Sequence, residues 1–273
     1  MHAEYTVRAA KMGKHVLCEK PMATSVADCK KMIATCRSAN VKLMIAYRQQ
    51  YEPMNREIAK MIKSGKLGPL RSYLATLTQN QEDPSQWRLK KSLAGGGCLP
   101  DVGIYCLNAS RFWSGEEPIE VYGQTHRPQS DPRFSEVEAA CNFTLRFSSG
   151  LLASCNSGYA EHRSSFARME GAESWIQLSP SFGYSSLKLQ YNKLVEGHGA
   201  DVQPSINEKD QFALEMDHMA LCVMRNQQPH TPGEEGLQDI RIIEAIYESA
   251  GSHRTIQFSP PRTPTRGPDP EEP

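Results

Sequence analysis

The sequence has no apolar run approaching the roughly 20 residues that a membrane-spanning helix needs. It also has no excess of either charge, since Lys plus Arg and Asp plus Glu stand at 31 each. A balanced surface lacks the footprint of a phosphate-backbone or anionic-membrane binder, so neither nucleic acid nor membrane is expected as a partner. The N-terminus lacks the basic, apolar and small-residue sections of an export signal. The eight cysteines form no C-x-x-C pair and no histidine stands at zinc spacing. They read as reduced, mostly buried thiols, which points to a cytoplasmic location and to no metal. No G-x-S-x-G elbow, P-loop or metalloprotease helix is found, and no internal repeat. Ahead of His15 there is no G-x-G-x-x-G, and no acidic residue some 20 positions after one, as a dinucleotide-binding βα turn requires.

What is there falls into two textures. A helical stretch from Ala3 to Lys11 ends at Gly13, and His15–Cys18 reads as a strand. Ser25 can cap a second helix with Val26, Cys29, Ile33 and Cys36 at helical spacing, and Val41–Tyr47 reads as a buried strand. Strand, helix and apolar strand in succession predict a βαβ unit of a parallel sheet. From Arg71 onward short strands dominate: Ser72–Thr78, Ile119–Thr125, Ala139–Phe147, Leu151–Tyr159, Ser165–Glu170, Trp175–Leu178 and Leu187–Leu194. Phe143, Leu145 and Phe147 alternate with Thr144 and Arg146, the pattern of antiparallel strands with one covered face. Helical periodicity returns over Gln211–Met224 and Leu237–Ala250. The expected division is residues 1–70 as part of a doubly wound dinucleotide domain, 71–258 as an open-sheet domain for substrate and assembly, and 259–273 as a disordered Pro-rich tail.

Three places could carry chemistry. Glu19-Lys20-Pro21 follows the first strand, at the carboxyl edge where open parallel sheets bind ligands. Arg48 holds the equivalent point after the second strand. A cation there can stabilise a developing alkoxide, although a lysine at a strand end is more often a solvated surface residue. The third place is the run from Ala94 to Asn108, where three glycines precede Pro100 and a largely apolar helix. Asp101, Tyr105 and Asn108 stand i, i+4 and i+7 on it, and so share one face. That stripe reads either as a site or as an internally satisfied network in which the Tyr105 hydroxyl finds Asp101. Gly103 could let a planar ring approach the backbone. His218 reads as a packing residue within its helix.

The blocks GKHVLCEKPMA (13–23), AYRQQYEPMN (46–55), QWRLKKSLAGGG (86–97), DVGIYCLN (101–108), GEEPIEV (115–121) and PGEEGLQDIR (232–241) resemble, in order and spacing, the Gfo/Idh/MocA oxidoreductases, most closely the glucose–fructose oxidoreductase branch. The resemblance implies a Rossmann domain followed by a substrate domain on a large open antiparallel sheet. It implies NADP or NAD as cofactor, with Lys20 of the E-K-P motif beside the nicotinamide and the substrate. The D-x-G-x-Y motif implies Tyr105 as the acid–base residue with Asp101 assisting. Glu19, Pro21, Arg48, Trp87 and Arg88 are the further candidates for lining the nicotinamide or sugar pocket.

A phenol with an ordinary pKa of about 10 is a poor base at neutral pH, so an adjacent cation is needed, and Lys20 would supply it. The reaction implied is hydride exchange at a sugar carbon. Family members carry an additional stretch with the glycine fingerprint ahead of the residues matched here, so this chain is expected to retain the dinucleotide poorly. The alternative is a non-catalytic truncated homologue that serves as an assembly or binding module. An open sheet with large side chains on both faces predicts a homo-oligomer through one of them.

Overall fold

Ser25 caps a helix as its position suggests: its hydroxyl accepts a hydrogen bond from Asp28 N at 3.2 Å. The computed structural model describes residues 1–195 and 197–270. It opens with α1 (His2–Lys11), β1 (Val16–Glu19), α2 (Val26–Ser38) and β2 (Leu43–Ala46). The strands β1 and β2 are parallel, in register from Val16↔Leu43 to Glu19↔Ala46. The continuous apolar run of β2 is explained by its surroundings, since all four of its residues are buried. Ile45 N donates to Thr231 O at 2.8 Å, so a much later segment lies along the other side of this strand. A 3-10 turn at Arg48–Gln50 follows β2 and leads to α3 (Pro53–Lys63). Glu52 caps α3 by accepting from Met54 N and Asn55 N at 3.0 and 2.8 Å.

The large sheet begins with β3 (Leu70–Asn80). A short α4 (Lys91–Ala94), a π-helical turn at Leu99–Gly103 and α5 (Ile104–Ser114) come next. Then follow β4 (Pro118–His126), β5 (Ala140–Phe147), β6 (Leu152–Gly158), β7 (Ala160–Gly171), β8 (Trp175–Leu178), β9 (Leu189–Val195) and β10 (His198–Val202). Helices α6 (Gln211–Met224) and α7 (Gly233–Ser252) precede a two-residue β11 (Ile256–Gln257). The nine strands lie in the order β10-β9-β8-β7-β3-β6-β5-β4-β11.

The sheet is mixed rather than wholly antiparallel as expected. β3 pairs parallel with β6, from Ser72↔Leu152 to Thr78↔Gly158, and antiparallel with β7. The cause is topological: β6 and β7 are consecutive strands that straddle β3, so one of them must run with it. The short edge strands β10 and β11 have no legible alternation and were not foreseen.

Alternation along β5 is as expected, with Cys141, Phe143, Leu145 and Phe147 buried and Asn142, Thr144 and Arg146 exposed. The covered face packs under α5 and α7. The other face presents Leu74 and Leu152, 43% and 54% exposed, among threonines, serines and arginines. α7 also reaches the small sheet, touching α2 and β2, and α6 packs on the Arg48–Gln50 turn.

Arg111, wholly buried on α5, joins these layers. It donates to Glu117 at 2.7 and 2.9 Å, to Glu235 at 2.9 Å and to Asp239. Asn108 donates to Asp239 and Glu235 at 2.9 and 3.1 Å and accepts from Gln50 at 2.9 Å. Burial alone would raise Glu235, but Arg111 and then Arg266 hold its carboxyl well below the usual range.

The expectation of a disordered tail is corrected for residues 259–270. Thr265 is 5% exposed and donates to Glu235 at 2.5 Å, and Gly267 N donates to His230 O at 2.9 Å. Pro268 O accepts from His230 Nδ1 at 3.1 Å and Pro270 O from Arg56 at 2.7 Å. Composition gives no sign of this because the segment is held by hydrogen bonds to polar groups of the body of the protein, the buried Glu235 carboxylate among them, which a count of apolar residues does not register. Residues 271–273 of the expected tail lie outside the described residues.

Candidate active site

The carboxyl ends of β1 and β2, the π-turn and start of α5, and the end of β3 wall a cleft of about 1050 Å³. Glu19, Lys20, Pro21, Arg48, Trp87, Arg88, Asp101 and Tyr105 all line it, so every sequence-predicted site residue reaches one cavity. The register of β1 with β2 explains half of this, because Glu19↔Ala46 brings the two strand ends level.

Lys20 Nζ lies 4.2 Å from the centroid of the Tyr105 ring and donates to Asp101 O at 2.7 Å and Asp101 Oδ1 at 3.4 Å. The other carboxylate oxygen, Oδ2, accepts from the Tyr159 hydroxyl at 2.6 Å and from Arg88 Nε at 3.1 Å. Asp101 is therefore ringed by three donors. Burial pushes its carboxyl up, but Lys20, Tyr159 and Arg88 outweigh burial and hold it below the usual carboxylate range. Tyr159 is pushed far above an ordinary phenol, by burial first and then by the Asp101 charge, and stays a neutral donor. The Tyr105 hydroxyl has no hydrogen-bond partner among the described residues and faces the cleft.

The stripe on α5 therefore divides. Asp101 turns toward Lys20 and Arg88, Tyr105 toward the cleft, and Asn108 inward to Glu235 and Asp239. The π-turn over Leu99–Gly103 places Asp101 outside the regular helix, which ordinary α spacing could not indicate. The alternative in which Tyr105 bonds Asp101 is not what forms, because Tyr159 takes that role. Gly103 serves no planar ring either: a Cβ there would stand 2.8 Å from Ser157 Oγ on β6.

Arg48 is 5% exposed, and its donors go to protein: Nη2 to Phe182 O at 2.9 Å, Nη1 to Gly183 O at 3.0 Å and to Gln211 Oε1 at 2.5 Å. It stacks 4.5 Å from Tyr184 and 5.1 Å from Tyr105, so it ties the 182–184 loop to the cleft wall. Trp87 is 48% exposed at the rim with Arg88 stacked on it at 4.6 Å. Glu19 is exposed and accepts from Lys20 N, and Pro21 O accepts from His2. His218 is a packing residue, its ring 5.2 Å from that of Tyr51 and its Nε2 accepting from His230 N.

Sequence reasoning missed Tyr159 and Glu138. Tyr159 is remote in sequence from Asp101, and no spacing rule links them. Glu138 accepts from Gly97 N and Leu99 N at 2.9 and 3.0 Å and so shapes the start of the π-turn. A lone acid among Val137, Ala139 and Ala140 was the signal available.

A short parallel βαβ unit set against a large mixed sheet, with a lysine and a tyrosine meeting where they join, is the architecture of a Rossmann-type oxidoreductase. Residues 1–47 match the oxidoreductase family described as GFO/IDH/MocA with an NAD-binding Rossmann fold, and residues 55–176 match its C-terminal domain. The chain belongs to the GFO/IDH/MocA family. It is 31% identical over 264 residues to a D-xylose 1-dehydrogenase [NADP(+)] of Haloarcula marismortui, covering 94% of this chain and 72% of that protein. The crystal structure of an aldose-aldose oxidoreductase from Caulobacter crescentus, complexed with glycerol, superposes with a TM-score of 0.89 at 42% identity, covering 94% of this chain and 76% of that one. A 3-ketoreductase from Actinomadura kijaniata, in complex with NADP and TDP-benzene, shares the fold at 23% identity with a TM-score of 0.79 over 91% of this chain and 74% of that one.

Proposed function

We propose that this chain carries the sugar and nicotinamide end of an NAD(P)-dependent aldose oxidoreductase, with Tyr105 as acid–base group, Lys20 as the cation beside it and Asp101 holding that cation in place. The observation that carries the reading is the meeting of Lys20 Nζ with the Tyr105 ring inside one cleft at the carboxyl ends of β1 and β2. The names of the relatives, a xylose dehydrogenase and an aldose-aldose oxidoreductase, support aldoses as the substrate class.

A bound nicotinamide supplies the hydride acceptor or donor. The chain's own residues manage the proton. As the C–H hydride leaves the sugar carbon, the hydroxyl proton passes to the Tyr105 oxygen, which must enter the step as the phenolate beside Lys20, and the C–O single bond becomes a carbonyl. In the reverse direction Tyr105 returns that proton to the oxygen. The Lys20 charge stabilises negative charge on either oxygen during transfer, in a site where water screens it little.

The residues present suit the nicotinamide end: Lys20 and Pro21 on one side, and Trp87 and Arg88 at the rim. They do not suit a pyrophosphate. A helix N-terminus binds phosphate through free amides, but at α2 the Val26 amide donates to Glu244 at 2.9 Å and the Asp28 amide to Ser25. Two carboxylates, Glu244 and Asp28, stand where the anion would lie. The 273-residue chain is therefore expected to hold NADP or NAD only loosely.

The test is calorimetric titration of the purified chain with NADP and NAD, together with absorbance assays using D-xylose and D-glucose at millimolar cofactor. Binding weaker than micromolar, with aldose-dependent reduction of the cofactor that Lys20→Met abolishes, is expected. Absence of turnover with either aldose, together with no heat of sugar binding, would overturn the reading.

A further inference from the structure

Tyr159 is 0% exposed at the turn between β6 and β7, yet its hydroxyl reaches a residue that lines the cleft, Asp101. Its backbone is fixed from two directions, the amide donating to Ala139 O at 2.7 Å and the carbonyl accepting from Gln81 N at 2.8 Å. The ring therefore has little freedom, and the hydroxyl is aimed at a single acceptor, Asp101 Oδ2 at 2.6 Å. Asp101 passes that constraint on, because its main-chain oxygen and Oδ1 hold Lys20 Nζ, and Lys20 lies against the Tyr105 ring.

We propose that Tyr159 is a positioning residue for the hydride-transfer site: through its hydrogen bond to Asp101 it fixes the carboxylate that holds Lys20 over Tyr105. The proposal rests on the function assigned above to Lys20 and Tyr105. The large sheet thereby contributes a fixed point to a site whose cation comes from the small sheet, so the two layers are brought into register at one carboxylate. Arg88 also binds Oδ2, but it is a long side chain from a 3-10 turn, 37% exposed, and cannot supply the same rigidity. The charged and titratable groups around Asp101 are Lys20 from just after β1, Arg88 from that turn and Tyr159 from the β6–β7 turn. Around the Tyr159 hydroxyl they are Asp101, Cys98 and Arg88.

Without the Tyr159 hydroxyl, Asp101 loses its shortest hydrogen bond, and protonation of the carboxylate becomes easier. A protonated Asp101 no longer holds Lys20 by charge, so the active form is lost from the acid side at a higher pH.

The test uses the full chain labelled with carboxyl-¹³C aspartate and ε-¹³C lysine, with the Asp101 signal assigned by Asp101→Asn and the Lys20 signal by Lys20→Met. In Tyr159→Phe the Asp101 titration midpoint is expected about one pH unit higher, as loss of a hydrogen bond to a charged group implies. Lys20 Nζ lies 4.2 Å from the Tyr105 ring centroid in the wild type, and in the variant the Lys20 signal is expected to move toward its free-chain position. In aldose oxidation kcat is expected to fall about tenfold with KM for the sugar nearly unchanged, and the acid limb of the profile to move up. On an Asp101→Asn background the same substitution is expected to do nothing further, since Tyr159 acts through Asp101. An unmoved Asp101 midpoint, or an equal fall in kcat on both backgrounds, would overturn the proposal. If the wild type turns over no aldose, the assigned function fails, while the two resonances still decide whether Tyr159 positions Asp101 and Lys20. If Tyr159→Phe does not fold, 3-fluorotyrosine incorporated at the tyrosines makes the hydroxyl a stronger donor and is expected to lower the Asp101 midpoint. No change there would equally overturn the proposal.

Discussion

Glu138 and Gly97 are locked together: Glu138 Oε2 accepts from Gly97 N at 2.9 Å, and a Cβ on Gly97 would stand 2.1 Å from the Glu138 main-chain oxygen. The contact is backbone against backbone and cannot relax by a rotamer change. Since Glu138 Oε1 also holds Leu99 N, this pair sets where the π-turn begins and hence where Asp101 and Tyr105 point. Gly97→Ala is expected to lower thermal stability by several degrees and to weaken sugar turnover at the same time. A melting curve and an assay on one preparation check both, and retention of wild-type values would contradict the assignment of Gly97 to a close approach.

Tyr105→Phe should behave in the opposite way. It removes one oxygen that has no hydrogen-bond partner among the described residues, so melting should stay within a degree or two while aldose turnover falls about a hundredfold or more. Wild-type-like turnover would remove Tyr105 from the acid–base role.

Glu215 on α6 is 3% exposed, and its Oε2 has no hydrogen-bond partner among the described residues. Burial first, and the nearby Glu19 charge second, push its carboxyl up to about 8, against a smaller lowering by Arg48. The folded state therefore favours the protonated acid. The stability this contributes is fully present below the ordinary carboxylate range, declines above pH 4.5 and is lost as pH rises through about 8. Glu215→Gln keeps the shape without the charge, so its melting temperature should exceed that of the wild type at pH 8.5 by a few degrees and match it at pH 5. Equal pH dependence in both proteins would show that Glu215 does not titrate in this window.

Arg111→Met leaves the Glu235 and Asp239 carboxylates buried without their principal cation. Breaking a buried ion pair in this way costs about 3–5 kcal/mol, enough to remove much of the stability of an ordinary domain. Denaturant unfolding measures it. Removal of residues 259–273 should act in the same direction but more weakly, since it takes away Thr265 and Arg266 from the same cluster.

The exposed face of the large sheet, with Leu74 and Leu152 among polar neighbours, is proposed to meet a second copy of the chain. Light scattering at micromolar concentration should report a dimer or larger species, and Leu74→Glu with Leu152→Glu should shift it toward monomer. A monodisperse wild-type monomer would contradict this.

The sequence carried most of the βαβ unit, since Ser25, the helical spacing of Cys29 and Cys36, and the apolar β2 run are local signals. The strand positions in the large sheet were legible for the same reason in β5 and β8. Pairing was not: nothing within Ser72–Thr78 announces that it will lie parallel to β6. At the candidate site, the motif blocks singled out Lys20 and Tyr105, which line one cleft, whereas the contact of Tyr159 with Asp101 was invisible because it joins segments that no periodicity connects. The order of the tail was not legible because Thr265 and Gly267 are held by a few hydrogen bonds to buried partners, and composition weighs only apolar area.

The place of β3 in the sheet has a consequence for how the chain comes to be folded. β3 is the earliest of the nine strands to be synthesised, yet its partners are Leu152 to Gly158 on one side and residues out to Gly171 on the other. Until those residues leave the ribosome, Tyr73 and Ala75 have no sheet to join and their backbone edges stay open. Closing so long a loop before any pairing is rewarded is entropically costly, and folds with many such long-range pairings form slowly. An unpaired strand edge is a template for another chain, so Leu70–Asn80 is where the nascent chain is expected to be most open to misassociation until β6 and β7 have been made.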